Sequence, residues 1–388
     1  MLAVGLNLSS NRIYAVELLK SGKNLAIRKM VRSELPSNSI VKGEIQDPAI
    51  LTRGLKDIWR KYRISDRKVF IGISNQKVIA KEIKIPVVDD AEIDNSIKYQ
   101  INDFIPIPKN NIIYDYYVVE KEENFSRLML VGAMKSMIDD VVKSFKDAGL
   151  LAQAIDLNCF SLYRTVNYIN SVEKNTKNKK PDTFCVVNLG LEMSIIEMIQ
   201  DDNLKYPRFT STSIKNFIDG ISKEVKKDNK YCEEIISGFD FKSLFIKKND
   251  NAGEVKKEEK KDLPGKTGEK EDKKSDKDST QSTAGSIDVT KIMKDTADHL
   301  IGEIKLSIEH FLQENPKYKV GKIILTGEYI KNIDKYIEKE IGYKVELLNI
   351  ADYFSLKYLK RNPQYKGKDL NYLLDPLAIG MALRGLNK

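Results

Sequence analysis

The sequence predicts an α/β protein of two large domains built on one plan, with a small α/β subdomain inserted in the first. Three observations carry that expectation. Three predicted strands followed by a helix occur twice, once from the start of the chain and once from residue 183. A strand, helix, strand, strand, helix block interrupts the first copy. A chain of 388 residues also exceeds what one compact core organises, so two large units are the natural partition.

In the first copy, strands are expected at about Leu2–Leu8, Arg12–Leu18 and Asn24–Arg32, each a short apolar run bounded by turn residues. They lead to a helix over Pro48–Tyr62, with Asp47 as N-cap and Pro48 at the first helical position. The inserted block starts after strands at Val69–Ile73 and Val78–Ile83. Ile93, Ile97, Ile101 and Phe104 recur at helical spacing over Asp90–Asp103, and Pro106 and Pro108 stop that helix. Strands at Ile112–Val119 and Leu128–Ala133 follow, then a helix over Met137–Ala148 with Ser136 as its expected cap and Gly149 after it. The chain re-enters the first domain through Ala152–Asp156 and a helix over Cys159–Ile169.

The second copy has strands at Thr183–Leu189, Met193–Ile199 and Leu204–Phe209, then a helix over Ile214–Lys226 capped by Ser213. The expected division is therefore 1–84 with 156–172 as the first domain, 85–155 as the subdomain, 173–182 as a Lys-rich linker, and 183–246 with 287–388 as the second domain. Between the two parts of the second domain, residues 247–286 carry 11 Lys and 10 acidic residues among 40, with no aromatic. So little apolar surface cannot offset the entropy of ordering, and this segment is expected to be a disordered insertion.

Composition excludes several functions. With 41% hydrophobic and 31% charged residues the chain is globular and has no run long enough for a membrane span. Met1–Ser10 has no basic region before its alternating Leu2, Val4, Leu6 and Leu8, so it reads as a strand rather than a secretion signal, and the expected location is cytoplasmic. The net charge of +9 comes from Lys scattered among acids rather than from a basic stripe with interleaved aromatics, which argues against nucleic acid. The 247–286 segment contributes 11 − 10 = +1 of that charge, leaving about +8 on the remainder. Cys159, Cys185 and Cys232 are isolated and fit no metal spacing. His299 and His310 stand on one predicted helix without a nucleophile partner, so no catalytic residue and no metal ligand is assigned.

The two openings also share a loop motif. Val4-Gly5-Leu6-Asn7-Leu8-Ser9-Ser10 is answered by Val186-Val187-Asn188-Leu189-Gly190, each an apolar strand turning through Asn-Leu-small. Lys322-Ile323-Ile324-Leu325-Thr326-Gly327-Glu328 is a third strand ending in a glycine turn before a helix. Together these resemble the actin, Hsp70 and sugar-kinase superfamily, whose duplicated ribonuclease H-like domains hold a nucleotide between them. Within it, an ordered series resembles the PilM family of type IV pilus assembly: Leu35-Pro36, Val41-Lys42-Gly43-Glu44-Ile45, Lys84-Ile85-Pro86, Phe104-Ile105-Pro106-Ile107-Pro108, Asp115-Tyr116, Ala148-Gly149-Leu150, Ile155-Asp156-Leu157, Phe160-Ser161-Leu162-Tyr163-Arg164 and Ala378-Ile379-Gly380-Met381-Ala382-Leu383-Arg384. The series covers nearly the whole chain outside 247–286.

That resemblance implies an actin-like fold and an ATP and magnesium site at Gly5, Asn7, Ser9, Ser10, Asn188, Gly190, Gly327 and Glu328. This chain departs from the family there. Asn7 and Asn188 stand where Asp is expected, Ser9 where Gly is expected, and Glu328 where a second Gly is expected. Amides lack the negative charge that makes a carboxylate a good magnesium ligand, and Glu328 adds bulk and negative charge. Nucleotide binding is therefore expected to be weak or absent and the protein not to be an efficient ATPase.

The resemblance further implies a scaffold at the inner face of the cytoplasmic membrane. It binds the cytoplasmic N-terminus of PilN, a bitopic membrane protein, and meets other platform or motor components. Ile97, Ile101, Phe104 and Ile105 are the candidate partner-binding residues, in a groove between the first domain and the subdomain. Three rival readings share the fold. A small-molecule kinase requires the Asp-type loops missing at residues 7 and 188, and an FtsA-like division protein requires a terminal amphipathic helix, whereas Pro376–Lys388 is mostly apolar and small. A GspL-type secretion protein normally continues into a membrane span.

Overall fold

The computed structural model describes residues 1–22, 24–75, 77–86, 90–174, 183–245, 289–367, 370 and 373–386. The expected insertion at 247–286, and most of the expected linker at 173–182, lie outside the described residues. The chain opens with β1 (Leu2–Ser9), β2 (Arg12–Ser21) and β3 (Asn24–Glu34). A short pair, β4 (Ile40–Val41) and β5 (Glu44–Ile45), leads to α1 (Pro48–Tyr62) and β6 (Lys68–Ile73). Helix α1 starts where sequence chemistry dictates. The Asp47 carboxylate accepts from the Ala49 amide at 2.8 Å, with Pro48 beside it, and Leu51, Leu55 and Ile58 bury one helical face.

The subdomain comprises β7 (Ile79–Pro86), α2 (Asp90–Phe104), β8 (Ile112–Lys121) and β9 (Phe125–Met134), with the sheet ordered β7-β9-β8. It has its own core of Ile83, Ile85, Ile93, Ile97, Ile101, Ile105, Ile112, Leu128 and Leu130. It is smaller than expected. Helix α3 (Lys135–Asp147) and strand β10 (Leu151–Leu157) instead join the first domain, where β10 pairs with β6 and the buried Val141 and Phe145 pack into the larger core. Ser136 is not the cap of α3. Strand β9 runs directly into the helix through Met134, which leaves no residue for a side-chain cap. Helix α4 (Asn158–Lys174) completes this half.

The second domain repeats the plan with β11 (Thr183–Leu189), β12 (Ser194–Gln200), β13 (Asn203–Thr210), α5 (Ile214–Val225) and α6 (Asn229–Gly238). Then come α7 (Val289–Glu314), β14 (Ile323–Gly327), α8 (Ile333–Ile341) and β15 (Val345–Leu347). At the start of α5 the Asn216 side chain accepts from the Ser213 amide at 2.8 Å, so the expected cap position is the actual one.

The two five-stranded sheets, β3-β2-β1-β6-β10 and β13-β12-β11-β14-β15, have the same order. In each, three antiparallel strands are followed by two parallel ones. The central strands read as continuous apolar runs because both sheet faces are covered.

The last segment reverses direction across the molecule. The Ile27 amide donates to Ser355 at 3.0 Å, and α9 (Lys357–Arg361) and α10 (Pro376–Leu386) pack on the first sheet. Ile350, Phe354, Leu359, Leu374, Ile379 and Leu383 share a core with Val16, Leu18, Ile27 and Met30. The expectation that 287–388 belongs wholly to the second domain is thus corrected: the described residues from Ile350 to Leu386 complete the first. Every described residue of α10 except Arg384 is buried, because the helix is apolar on all sides.

Candidate functional site

Strands β1 and β11, each at the middle of its sheet, end facing one another across a cleft. Seven of the eight residues expected at a phosphate site line it: Asn7, Ser9, Ser10, Asn188, Gly190, Gly327 and Glu328. Gly5 does not. A Cβ there would lie 2.1 Å from the Ala378 carbonyl oxygen, so Gly5 serves the close approach of α10 to β1. Gly327 has φ +93°, and a Cβ on it would meet the Leu189 carbonyl at 2.4 Å, which is why glycine ends β14.

The floor of the cleft is a network of side-chain amides. Asn158 Nδ2 donates to Asn7 Oδ1 at 2.9 Å and lies 2.8 Å from Ser74 Oγ, while Asn7 Nδ2 donates to Asp375 Oδ2 at 3.2 Å. Asp375 also caps α10, accepting from the Ala378 amide at 2.6 Å. Burial pushes the Asp375 carboxyl up to about 6, against the pull of the Ala378 and Asn7 donors. Asn7 and Asn188 are themselves buried, and the first is committed on both ends of its amide.

Where a metal would want carboxylates the two loops offer amides, and the Asp375 carboxylate is engaged by the Asn7 and Ala378 donors. Among the described residues no group of three or more His, Cys, Asp or Glu side chains is arranged to hold a metal ion.

Glu328 sits otherwise than its sequence position suggests. It is no lone negative charge at the phosphate seat, since Tyr14 donates to it at 2.7 Å and Arg12 and Arg32 lie 3.5 and 3.8 Å away. Arg12 reaches Glu233 of α6 as well, at 3.1 Å. Burial, with Glu328 adding to it, raises the Tyr14 hydroxyl well above its ordinary range. Sequence reasoning missed Arg12, Tyr14, Arg32 and Asp375. Only Asp375 had a legible signal, an Asp-Pro pair opening a helix.

A second concavity, a groove of about 1210 Å³, separates the subdomain from the first domain. Eight consecutive residues of β8, Ile113 to Glu120, line it. Side chains of a strand alternate between faces, so an unbroken run means that the strand edge borders the groove. Strand β8 pairs with β9 alone among the described strands. Opposite stand Ile155–Leu157, Phe160, Tyr163 and Arg164, with Asn203–Lys205 of the second domain at one end.

Tyr117 and Phe160 meet edge to face at 6.1 Å, and burial pushes the Tyr117 hydroxyl up to about 12. Charges lining the groove are paired within each wall: Arg384 with Asp156 at 2.6 Å, Arg164 with the same carboxylate, and Arg127 with Glu82 at 3.0 Å. The residues expected to bind a partner are not here. Ile97, Ile101 and Ile105 are 0–1% exposed in the subdomain core, with Phe104 half-buried against it. Their helical spacing reports the face that packs on the sheet, which a partner cannot reach.

Residues 5–234 match the family model described as type IV pilus assembly protein PilM. Among solved structures, the chain is similar to one from a PilM-PilN type IV pilus biogenesis complex, at 18% identity, covering 99% of this chain and 98% of that one with a TM-score of 0.75. Ethanolamine utilization protein EutJ from Carboxydothermus hydrogenoformans is 11% identical over 98% of this chain and 90% of its own, at a TM-score of 0.49. MreB5 of Spiroplasma citri bound to ADP is 10% identical over 94% and 96%, at 0.46. The expected duplicated actin-like fold stands. Among the described residues no helix is long and apolar enough to cross a membrane.

Proposed function

This chain belongs to the PilM family of type IV pilus assembly proteins, and from that membership we propose that it is a scaffold gripping the cytoplasmic N-terminal tail of a PilN-like bitopic membrane protein. The tail lies extended in the groove between subdomain and first domain. The observation that carries this reading is the run Ile113–Glu120 along the groove wall. A strand edge supplies backbone donors and acceptors to an extended peptide, and the apolar wall of Met129, Val131, Tyr117 and Phe160 receives its alternate side chains.

Anchoring through the tail holds the protein at the inner face of the cytoplasmic membrane, where other platform or motor components reach it. The cleft does not turn over ATP. Asn7 and Asn188 supply no charge to a metal, and Glu328 is committed to Tyr14 and Arg12, which supports a structural role for the cleft.

Calorimetric titration of the full chain with a synthetic PilN-type tail peptide tests the proposal. Saturable one-to-one binding that weakens about 30-fold in Tyr117→Ala, the loss of one interface anchor of about 2 kcal/mol, is expected. No heat with the wild-type protein, or unchanged affinity in Tyr117→Ala, counts against it.

A further inference from the structure

The cleft holds more charge than its loops require, and the charges lie on opposite sides. Arg12, Tyr14 and Arg32 belong to β2 and β3 of the first domain, whereas Glu233 and Glu328 belong to the second. Arg12 is nearly enclosed, its side chain 4% exposed. Its Nη2 stands 3.1 Å from both oxygens of Glu233, and its Nη1 stands 3.5 Å from Glu328. Glu34, on its own side, is farther, at 3.8 Å from Nε. Glu328 closes the set, accepting from Tyr14 at 2.7 Å with Arg32 at 3.8 Å. At the neighbouring lip the Lys42 amide of the first domain donates to Glu192 of the second at 2.9 Å.

A guanidinium buried at a domain boundary needs carboxylates, and here its two nearest, the hydrogen-bonded Glu233 and the ion-paired Glu328, come from across the gap. Two cations face two carboxylates, so the set is neutral as a whole. Burial alone would lower the Arg12 affinity for its proton, but Tyr14, Glu328 and Glu233 raise it above the ordinary value.

We propose that Arg12, Tyr14, Arg32, Glu233 and Glu328 form an ionic clasp that holds the two domains closed without any ligand between them. A ligand seated in a cleft stabilises closure by touching both walls. The clasp makes the same cross-wall contacts with the protein's own side chains, so closure needs no bound molecule. Opening the gap must break the Arg12–Glu233 fork and the Tyr14–Glu328 bond together.

The test reads the gap directly, in the full chain without added nucleotide. Spin labels at the exposed Ser37→Cys of the first domain and at the exposed Ser237→Cys, one turn from Glu233 on α6, read the separation of the two domains, and the three native cysteines are buried, so labelling falls on the introduced thiols. Pulsed dipolar spectroscopy is expected to give one narrow distance for the wild-type background. Glu233→Gln with Glu328→Gln keeps the side-chain shapes, removes both charges, and should raise the open population at least about tenfold. Arg12→Lys retains the charge but not the fork and should fall between.

Both glutamates are partly exposed, at 39% and 25%, so the double variant has no buried hole to repair. If it nonetheless fails to fold, Glu233→Gln alone carries the measurement. An unchanged distance distribution in a variant that melts cooperatively overturns the clasp. Loss of tail-peptide binding with an intact distribution instead strikes the scaffold reading.

Discussion

The cleft and the groove are both gaps between packed units, yet they treat their polar groups in opposite ways. In the cleft, of about 100 Å³, Asn7, Asn158 and Asp375 bond one another, and Arg12, Tyr14 and Glu328 bond across the walls. In the groove, of about 1210 Å³, each ion pair stays within one wall and a strand edge faces the space. Side chains bonded to one another leave less for a ligand to gain, although Asn158 Oδ1 and Arg12 Nε keep no hydrogen-bond partner in the cleft among the described residues. A gap walled by strand edge and apolar surface offers hydrogen bonds and area together. The contrast lies in where the polar groups turn, toward one another in the cleft and toward an open strand edge beside the inserted subdomain, which is what favours the groove as the proposed binding site.

The comparison breaks most forcefully in the subdomain core beside the groove. Ile101 is buried in the subdomain core, so Ile101→Ala should cost about 3 kcal/mol, lowering the urea midpoint and weakening peptide binding only as the subdomain loosens. If Ile101→Ala abolishes peptide binding at unchanged stability, that residue contacts the partner and the assignment to core is wrong.

A somewhat smaller effect tests the cleft floor through pH. The folded Asp375 carboxyl stands at about 6 against 3.8 for the free group, so the native state holds the proton more tightly. Stability from this group is present below about pH 4 and is lost as pH rises through 6, by an amount on the order of 2 kcal/mol. Asp375→Asn keeps a capping side chain and removes that dependence. Urea titrations at pH 4 and pH 7 should show the variant losing less stability between them than the wild type. Parallel pH profiles would show that Asp375 is not the carboxyl responsible.

The smallest effect sharpens the account of Asn7. Its amide donates to Asp375, so Asn7→Asp sets two carboxylates face to face at the same distance and should destabilise the protein by about 1 kcal/mol at neutral pH. Magnesium should recover part of that loss in the variant and leave the wild type unmoved. Magnesium stabilising the wild type equally would contradict the reading of the floor as a closed amide network.

Much of the fold was legible because local chemistry carried it. Asp47-Pro48 marks the start of α1, and the apolar runs Leu2–Leu8 and Thr183–Leu189 announce twin central strands. The repeated order of three strands and a helix revealed the duplication before any sheet was seen. What stayed hidden was set by distant pairing. Arg12 meets Glu233 across 221 positions and Tyr14 meets Glu328 across 314, separations at which no periodicity or spacing signals a contact. The same applies to α10, readable as a buried closing helix but not as a helix of the first domain. Ile97 and Ile101 show the limit within one element, since apolar spacing marks a packed face without telling core from groove.

One side-by-side titration tests the central claim that the groove and not the cleft is the working site. Tail peptide is titrated into the wild type, into Tyr117→Ala at the groove and into Glu328→Gln at the cleft. The account predicts wild-type affinity at Glu328→Gln and a loss of about 30-fold at Tyr117→Ala. Binding lost at Glu328→Gln and retained at Tyr117→Ala would contradict it.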